Sequence, residues 1–487
     1  MMKKTGRPDF LQLDAGAVEP LYRQIYTRFR SAIAEGLLQP GDRIPAARAL
    51  ALELGLARGT VESAYSLLTA EGYIESRGQA GTIVTPALAR HGVAVPAPAS
   101  RLPLQSPPVA DHHPDPELVL PGSPSSSTRD FQMGLPALDA FPRKVWARLA
   151  ARSIRATQAE DMVYPPYGGV AALRVAIATY LQLSRGIVCA PSQVFVTSGY
   201  RNTMELIARA VLKPGDGVWI EDPGFPPTGA LLEQAGMQLA PVAVDAEGLM
   251  VSHGIATAPG ARAAVVTPAH QSPLCVSLSL PRRLALLDWA SQAGAWIVED
   301  DYDGEYRYVS RPLPALQSLD RDGRVLYAGT FSKVLFPAVR LAYLVVPPAQ
   351  VERFEQISQT FSAGGPALMQ NIVTDFMNEG HFARHIQRMR RLYAERRQIA
   401  ADGLSAVLGK HLRVDPQPGG MHMVLRMKGH HTDRALAARI RQDGMMALAL
   451  SERTMLPHAA SALLLSFTNI DTPEKALQLG RRILSLI

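Results

Sequence analysis

After Pro20 the apolar residues Tyr22, Ile25, Phe29 and Ile33 recur at three- and four-residue spacing, which predicts an amphipathic helix stopped at Gly36. Gln39-Pro40-Gly41-Asp42 reads as a turn. A second short helix is predicted over 46–54, broken by Gly55. A third follows over 59–71, with Val61, Ala64, Tyr65 and Leu68 on its apolar face and Gly72 as its stop. Two short strands, 73–75 and 82–84, are joined by Gly78-Gln79-Ala80-Gly81. A helix, a helix–turn–helix and a hairpin in that order make a winged helix-turn-helix.

The periodicity then fades. Residues 86–128 hold ten prolines and end in Ser125-Ser126-Ser127-Thr128, the composition of an extended, semi-rigid tether. From 129 to 487, short β-branched runs alternate with helical ones, so the expected fold class there is α/β. The expected organisation is thus a module over 1–85, a proline-rich linker over 86–128 and a larger α/β domain over 129–487.

Composition narrows the class. Apolar residues make up 47% of the 487 and charged residues 19%, the profile of folded, soluble protein. No apolar run is long enough to span a bilayer, and the first residues lead into no long hydrophobic segment. Cys189 and Cys275 are the only cysteines and lack metal-type spacing, so a reduced, cytoplasmic setting is expected. The net charge of +7 points weakly to nucleic acid, because residues 1–85 hold ten Arg or Lys against nine Asp or Glu. Placement of charge matters more than its sum.

In a helix-turn-helix the start of the third helix enters the major groove. Arg58 and Thr60 lie there, Arg48 precedes them on the second helix, and Arg77 lies on the wing. Arginine forks onto guanine or phosphate, Thr bonds phosphate, and Gly81 permits close backbone approach. The segment IPAARALALELGLARGTVESAYSLLTAEGYIESRGQAGTIV resembles the DNA-binding domain of the GntR family, without gaps over about 65 residues from Pro20. That family usually carries hydroxyl residues where this chain has Ala46, Ala47 and Ala57, and a polar residue at Gly59. The resemblance therefore implies that backbone amides replace several side-chain phosphate contacts.

Ligands of open α/β sheets bind beyond the carboxyl ends of the strands, and five strand ends here carry distinctive chemistry. Val194-Phe195-Val196 leads to Thr197-Ser198-Gly199-Tyr200 at the start of a helix, a ready phosphate site. Val218-Trp219-Ile220 leads to Glu221-Asp222-Pro223-Gly224-Phe225. Val265-Val266 leads to Thr267-Pro268-Ala269-His270-Gln271. Trp296-Ile297-Val298 leads to Glu299-Asp300-Asp301-Tyr302, and Val325-Leu326-Tyr327 leads to Thr330-Phe331-Ser332-Lys333. A phosphate nest, an aromatic face, a His-Gln pair, a carboxylate with a tyrosine and a lysine are what pyridoxal 5′-phosphate requires. Lys333 is one of eight lysines beside 42 arginines and sits among Phe331, Val334, Leu335 and Phe336. An apolar setting lowers a lysine's pKa and frees its amine for imine formation.

VTSGYRNTMELIARAVLKPGDGVWIEDPGFP, VTPAHQSP, WIVEDDYDGEYRY and GTFSKVLFPAVRLAYLVVP resemble the fold type I aminotransferases. Together with the domain order they resemble the MocR subfamily of GntR regulators, from residue 130 to the end. That resemblance implies that Lys333 forms the internal aldimine with pyridoxal phosphate and Asp300 pairs with the pyridinium nitrogen. It implies that Tyr302 donates to the ring hydroxyl, and that Phe225 stacks where many relatives carry Tyr. It places Ser198, Gly199, Tyr200, Thr330, Ser332 and Arg340 around the phosphate. His270 is a candidate ring contact. Asp301 rivals Asp300, and spacing alone does not separate them.

For an effector, Pro227 stands where amino-acid-binding relatives often use arginine, and the late strand reads Ala462-Leu463-Leu464-Leu465 where aminotransferases commonly place one. Arg453 is the nearby candidate for an effector carboxylate. The absent arginines and the complete winged helix favour a homodimeric DNA-binding regulator that senses pyridoxal phosphate or an amino compound. The alternative is a working aminotransferase fused to a DNA-binding module. Arg384, Arg388 and Arg391 share a helical face whose default reading is solvated surface.

Overall fold

The structure, a computed structural model of the chain, describes residues 11, 13–14, 16, 19–71, 73–77, 81–86, 128–308, 314–361, 364–415, 419–429, 432–457 and 461–487. The chain divides into two compact units, Met1–Pro114 and Asp115–Ile487. Most of the expected linker, 87–127, and the hairpin-turn residues 78–80 lie outside the described residues.

In the first unit, α1 (Leu21–Ala34), α2 (Ala47–Leu54) and α3 (Arg58–Ala70) are followed by strands β2 (Ile74–Ser76) and β3 (Thr82–Val84). The periodic residues Ile25 and Phe29 of α1 and Val61, Ala64, Tyr65 and Leu68 of α3 are buried in one core, where Phe29 meets Tyr65 edge to face at 5.6 Å. Gly55 ends α2 with φ 67°, a left-handed conformation that glycine adopts without steric cost. A two-residue strand, β1 (Arg43–Ile44), was missed by the pattern because it is too short to alternate. It pairs antiparallel with β3, giving the sheet order β1-β3-β2. The wing is therefore three-stranded, anchored next to the turn before α2.

The second unit is built on an eight-stranded sheet. Its strands are β4 (Val194–Thr197), β5 (Gly217–Asp222), β6 (Gln238–Asp245), β7 (Gly248–Leu249), β8 (Ala263–Val266), β9 (Trp296–Asp301), β10 (Val325–Thr330) and β11 (Ala342–Val345). They lie in the order β4-β11-β10-β9-β8-β5-β6-β7. β6, β5, β8, β9 and β10 are mutually parallel, and β11 runs antiparallel to both β10 and β4. The carboxyl ends of β4, β5, β8, β9 and β10 consequently face the same way. This brings together five loops that are dispersed over 197–333 in sequence.

Helices α4 (Arg143–Ala156), α5 (Ala171–Arg185), α6 (Tyr200–Val211), α7 (Pro226–Gln234), α8 (Val251–Thr257), α9 (Leu280–Ala293), α10 (Val351–Phe361) and α11 (Ala367–Asn378) cover the sheet. Strands buried on both faces read as continuous apolar runs, as in Ala263-Ala264-Val265-Val266, all buried. The 28-residue α12 (His381–Leu408) leads to a smaller antiparallel sheet. Its strands are β12 (Leu412–Val414), β13 (His422–Met427), β14 (Leu448–Ala449) and β15 (Ala462–Ser466), ordered β12-β13-β15-β14. This sheet packs with α12, α13 (Asp433–Gln442) and α14 (Pro473–Leu484) around a core of its own. Leu464 is buried against Cys275, Val424 and Leu450, so this late strand is an apolar packing element. On α12, Arg396 is buried in an ion pair with Asp139 and Arg390 donates to the Glu305 carbonyl, whereas Arg384, Arg388 and Arg391 are exposed.

Candidate cofactor site and nucleic-acid interface

Lys333 follows β10, and its Nζ donates to the Gly134 carbonyl at 2.9 Å. Gly134 takes φ 77°, a conformation that favours glycine, and a Cβ there would displace the Lys333 amine. Burial lowers the Lys333 pKa below its ordinary value, while Asp303 and Asp300 pull the other way. The amine thus leans towards the neutral, nucleophilic form.

Asp300 and Asp301 end β9 and diverge. Asp301 accepts from Arg185 Nε at 2.5 Å and from the Tyr327 hydroxyl at 2.6 Å, both in the buried interior. Arg185 also pairs with Glu305 at 3.1 Å. Asp300 instead lines a cavity of ≈ 250 Å³ with Tyr200, Phe225, Ser272 and Arg453. Burial, with Asp301, Glu221 and Asp303 nearby, pushes the Asp300 carboxyl up to about 8, and Lys333 opposes the shift. A carboxyl so placed ionises readily only opposite a cation.

The Tyr302 hydroxyl lies 3.0 Å from His270 Nδ1, and that nitrogen also lies 3.0 Å from Asp303 Oδ1. A carboxylate only accepts, so the Nδ1 proton goes to Asp303. Burial is the largest single effect and disfavours the imidazolium, but Asp303 and Cys275 together outweigh it and hold His270 well above its ordinary range. Asp303 has no mark in the sequence beyond belonging to an acidic run, and its role appears only in three dimensions.

At the end of β4, Gly199 takes φ 113° immediately before α6. That left-handed φ is what favours glycine here, and the Arg340 guanidinium lies within ordinary contact distance of the position, over the helix start. Arg340 is itself left-handed, with φ 48°. The first-turn amides of α6 have no intrahelical partner and face the positive end of the helix dipole. The Ser198 amide donates to Asn202 Oδ1 at 3.1 Å, and the Ser332 amide to Thr330 Oγ1 at 3.1 Å. The Tyr200 hydroxyl bonds Thr228 at 2.7 Å, and its ring meets Phe225 edge to face at 6.1 Å.

Arg453 lines the same cavity as Asp300, and its carbonyl accepts from the Gly224 amide at 3.1 Å. Among the described residues no carboxylate forms an ion pair with its guanidinium, whose pKa burial lowers to about 10. Lys333, Thr330, Ser332 and Arg340 are not part of the cavity wall. Beneath it, buried Glu221 accepts from Thr267 Oγ1 at 2.5 Å and from Gln271 at 3.2 Å, and burial raises it to about 7.

In the first unit Arg58 opens α3, exposed and paired with Glu62 at 2.7 Å. Thr60 is half-buried on the same turn, and its amide donates to the Ala57 carbonyl at 3.0 Å. Arg48 is exposed on α2. Arg77 pairs with Glu75 at 2.6 Å, and its amide donates to Gly81, which has φ 86°. Both α2 and α3 start after an alanine, Ala46 and Ala57, that makes no side-chain cap. No cap side chain therefore accepts from the first-turn N–H groups of either helix.

A winged helix-turn-helix joined in one chain to an aminotransferase-type unit defines a DNA-binding transcription regulator that carries an enzyme fold. The family descriptions agree: "Bacterial regulatory proteins, gntR family" matches residues 21–84, and "Aminotransferase class I and II" matches 134–471. The chain belongs to the gntR family, in its MocR subfamily. It is 36% identical over 478 residues to the "Probable rhizopine catabolism regulatory protein MocR" of Rhizobium meliloti, covering 95% of this chain and 92% of that one. It is 33% identical to the "HTH-type pyridoxine biosynthesis transcriptional regulator PdxR" of Corynebacterium glutamicum, over 82% of each chain. Among solved structures, an archaeal alanine:glyoxylate aminotransferase superposes with a TM-score of 0.68 at 24% identity, over 74% of this chain and 90% of that one, which shows the fold. LysN of Thermus thermophilus, an α-aminoadipate aminotransferase complexed with N-(5'-phosphopyridoxyl)-L-leucine, gives 0.65 at 26% identity, over 74% and 93%.

Proposed function

We propose that this regulator binds pyridoxal 5′-phosphate in its aminotransferase-like unit and responds there to the cofactor or to an amino compound joined to it. The observation that carries the reading is the placing of a lysine amine held towards neutrality and a half-buried carboxyl, raised by its surroundings, at neighbouring strand ends. The residues fit the group. Lys333 supplies the imine nitrogen, and Asp300 faces the pyridine nitrogen, whose proton would draw it into the carboxylate form. Tyr302, oriented through His270 and Asp303, holds the ring hydroxyl, and Phe225 covers a ring face. Ser198, Gly199, Tyr200, Thr330, Ser332 and Arg340 would hold the phosphate. The bound cofactor would supply a carbonyl carbon that amines can attack.

In the same reading Arg453 meets an anionic group of the effector, since it is a partly buried cation without an ion-pair partner among the described residues. Arg58 and Thr60 enter the major groove, while Arg48, Arg77 and the backbone at Gly81 hold phosphates. The working form is a cytoplasmic homodimer. Exposed Ile154, Met162, Val163, Tyr164 and Tyr167 provide an apolar surface for the second copy.

The test is an anisotropy titration on operator DNA with and without pyridoxal phosphate, then with candidate amines. An effector changes DNA affinity only by binding one state of the protein better than another. A shift in affinity or footprint is expected. No shift, together with transamination at ordinary enzyme rates, would replace the sensor by a fused aminotransferase.

A further inference from the structure

One reactive side chain, Cys275, has no part in that reading, although it stands beside His270, which orients Tyr302. Cys275 lies on the loop after β8 that also carries His270 and Ser272. Its Sγ lies 3.1 Å from His422 Nε2 on β13. The same nitrogen lies 3.0 Å from the Pro273 carbonyl oxygen, which only accepts, so Nε2 carries a proton and presents it to carbonyl and sulfur. On the other side stands His270, its ring centroid 5.8 Å from that of His422. Its Nδ1 is committed to Asp303, and its buried Nε2 has no hydrogen-bond partner.

Burial alone would raise the thiol, but His422 and His270 outweigh it and hold Cys275 below the ordinary thiol range. The backbone at Cys275 has φ 62°, a conformation that favours glycine, yet the position carries a sulfur. Two loop hydrogen bonds of 2.7 Å, Cys275 amide to Gln271 carbonyl and Gln271 amide to Val276 carbonyl, fix it there. Cys189, by contrast, is half-buried, and burial raises it to about 11.

We propose that Cys275 is a modification site for hydrogen peroxide, assembled by His422, His270 and Asp303. The sulfur attacks one peroxide oxygen; an S–O bond forms as the O–O bond breaks. The departing hydroxide takes a proton from the His422 imidazolium and leaves as water. Sulfur loses two electrons and becomes a sulfenic acid, and the peroxide is reduced. Size selects the reagent. Cys275 is 3% exposed, so the sulfur is closed to bulky reagents and open only to a small one.

The experiment exposes the full-length protein to hydrogen peroxide for timed intervals, then denatures it into dimedone and quantifies both cysteine peptides by mass spectrometry. Cys275 should be modified at least tenfold faster than Cys189 in the same molecule. A His422→Asn variant with an unchanged thermal melt should slow Cys275 by a similar factor. Equal or slower modification of Cys275 relative to Cys189 overturns the proposal, as does an unchanged rate in folded H422N. If H422N does not fold, the wild-type protein still decides. Native Cys275 should react with peroxide but resist the bulky disulfide 5,5′-dithiobis(2-nitrobenzoate); reaction with the bulky reagent at the faster rate would refute a site shaped for peroxide.

Discussion

Asp300 and Asp301 are sequence neighbours whose side chains leave β9 on opposite faces, as the pleat requires. One points into the cavity and the other into a buried ion pair with Arg185. Asp301→Ala would leave the Arg185 guanidinium buried with one fewer partner, a loss of about 3–5 kcal/mol. Asp300→Ala removes no ion pair. Urea unfolding should therefore find D301A strongly destabilised, while D300A keeps its fold and releases pyridoxal phosphate more readily in dialysis. Lys333→Ala should fold and lose the yellow absorbance of the bound cofactor; borohydride fixation on another lysine would reassign the residue. The acids also set a pH dependence. Asp300 at about 8, with Glu221 and Glu299 at about 7, all lie above their unfolded values. Between pH 4 and those values the folded state binds more protons than the unfolded state, so stability is lost as pH rises. Without cofactor, the thermal midpoint should fall from pH 5 to pH 8, and Glu221→Gln should flatten the fall.

At the scale of elements, the start of α3 concentrates what the DNA-binding unit offers. Arg58 is exposed, and its pairing with Glu62 spans one turn, a contact of about 0.3–0.5 kcal/mol that a phosphate or guanine easily displaces. Arg58→Ala should weaken operator binding at least tenfold while leaving the cofactor spectrum intact. If Arg58 meets phosphate, the slope of log affinity against log salt should also drop by about one; if it meets guanine, the loss should concentrate at one base pair. The uncapped starts of α2 and α3 belong to the same scale. Alanines at 46 and 57 remove side-chain caps, which costs helix stability and leaves the first-turn amides without a side-chain acceptor. Ala57→Ser should raise the thermal stability of this unit, and the accompanying change in operator affinity reports whether those amides serve the DNA.

For the whole molecule, DNA recognition by one small module buries limited surface, and helix-turn-helix proteins gain specificity by reading two half-sites. The exposed apolar stretch from Ile154 to Tyr167 lies in the aminotransferase-like unit, so pairing there would bring two DNA-binding units to one operator. Sedimentation should find a dimer at micromolar concentration, and Tyr164→Glu with Val163→Glu should shift it to monomer without unfolding it. A repeated half-site in the controlled promoter should accompany the dimer.

Much of this was legible from residue order alone. Periodicity located α1 to α3 within a residue or two, because each has a one-sided apolar stripe and a glycine after it, and chemistry at strand ends marked Lys333, the Asp300-Asp301 pair and the Gly199 turn as candidates. These signals are local: a helix face or a β–loop–helix junction is written in consecutive residues. Sequence did not reveal which aspartate faces the cavity, that His270 is tied to Asp303, that Gly134 passes under Lys333, or that Cys275 sits between two imidazoles. Those facts depend on pairings across more than a hundred residues, such as Gly134 with Lys333 and Cys275 with His422. The sequence by itself determined which chemical groups the protein owns and which elements carry them. Only the tertiary structure decided which groups meet, because strand order and sheet packing, not chain neighbourhood, set the distances over which charge and hydrogen bonding act.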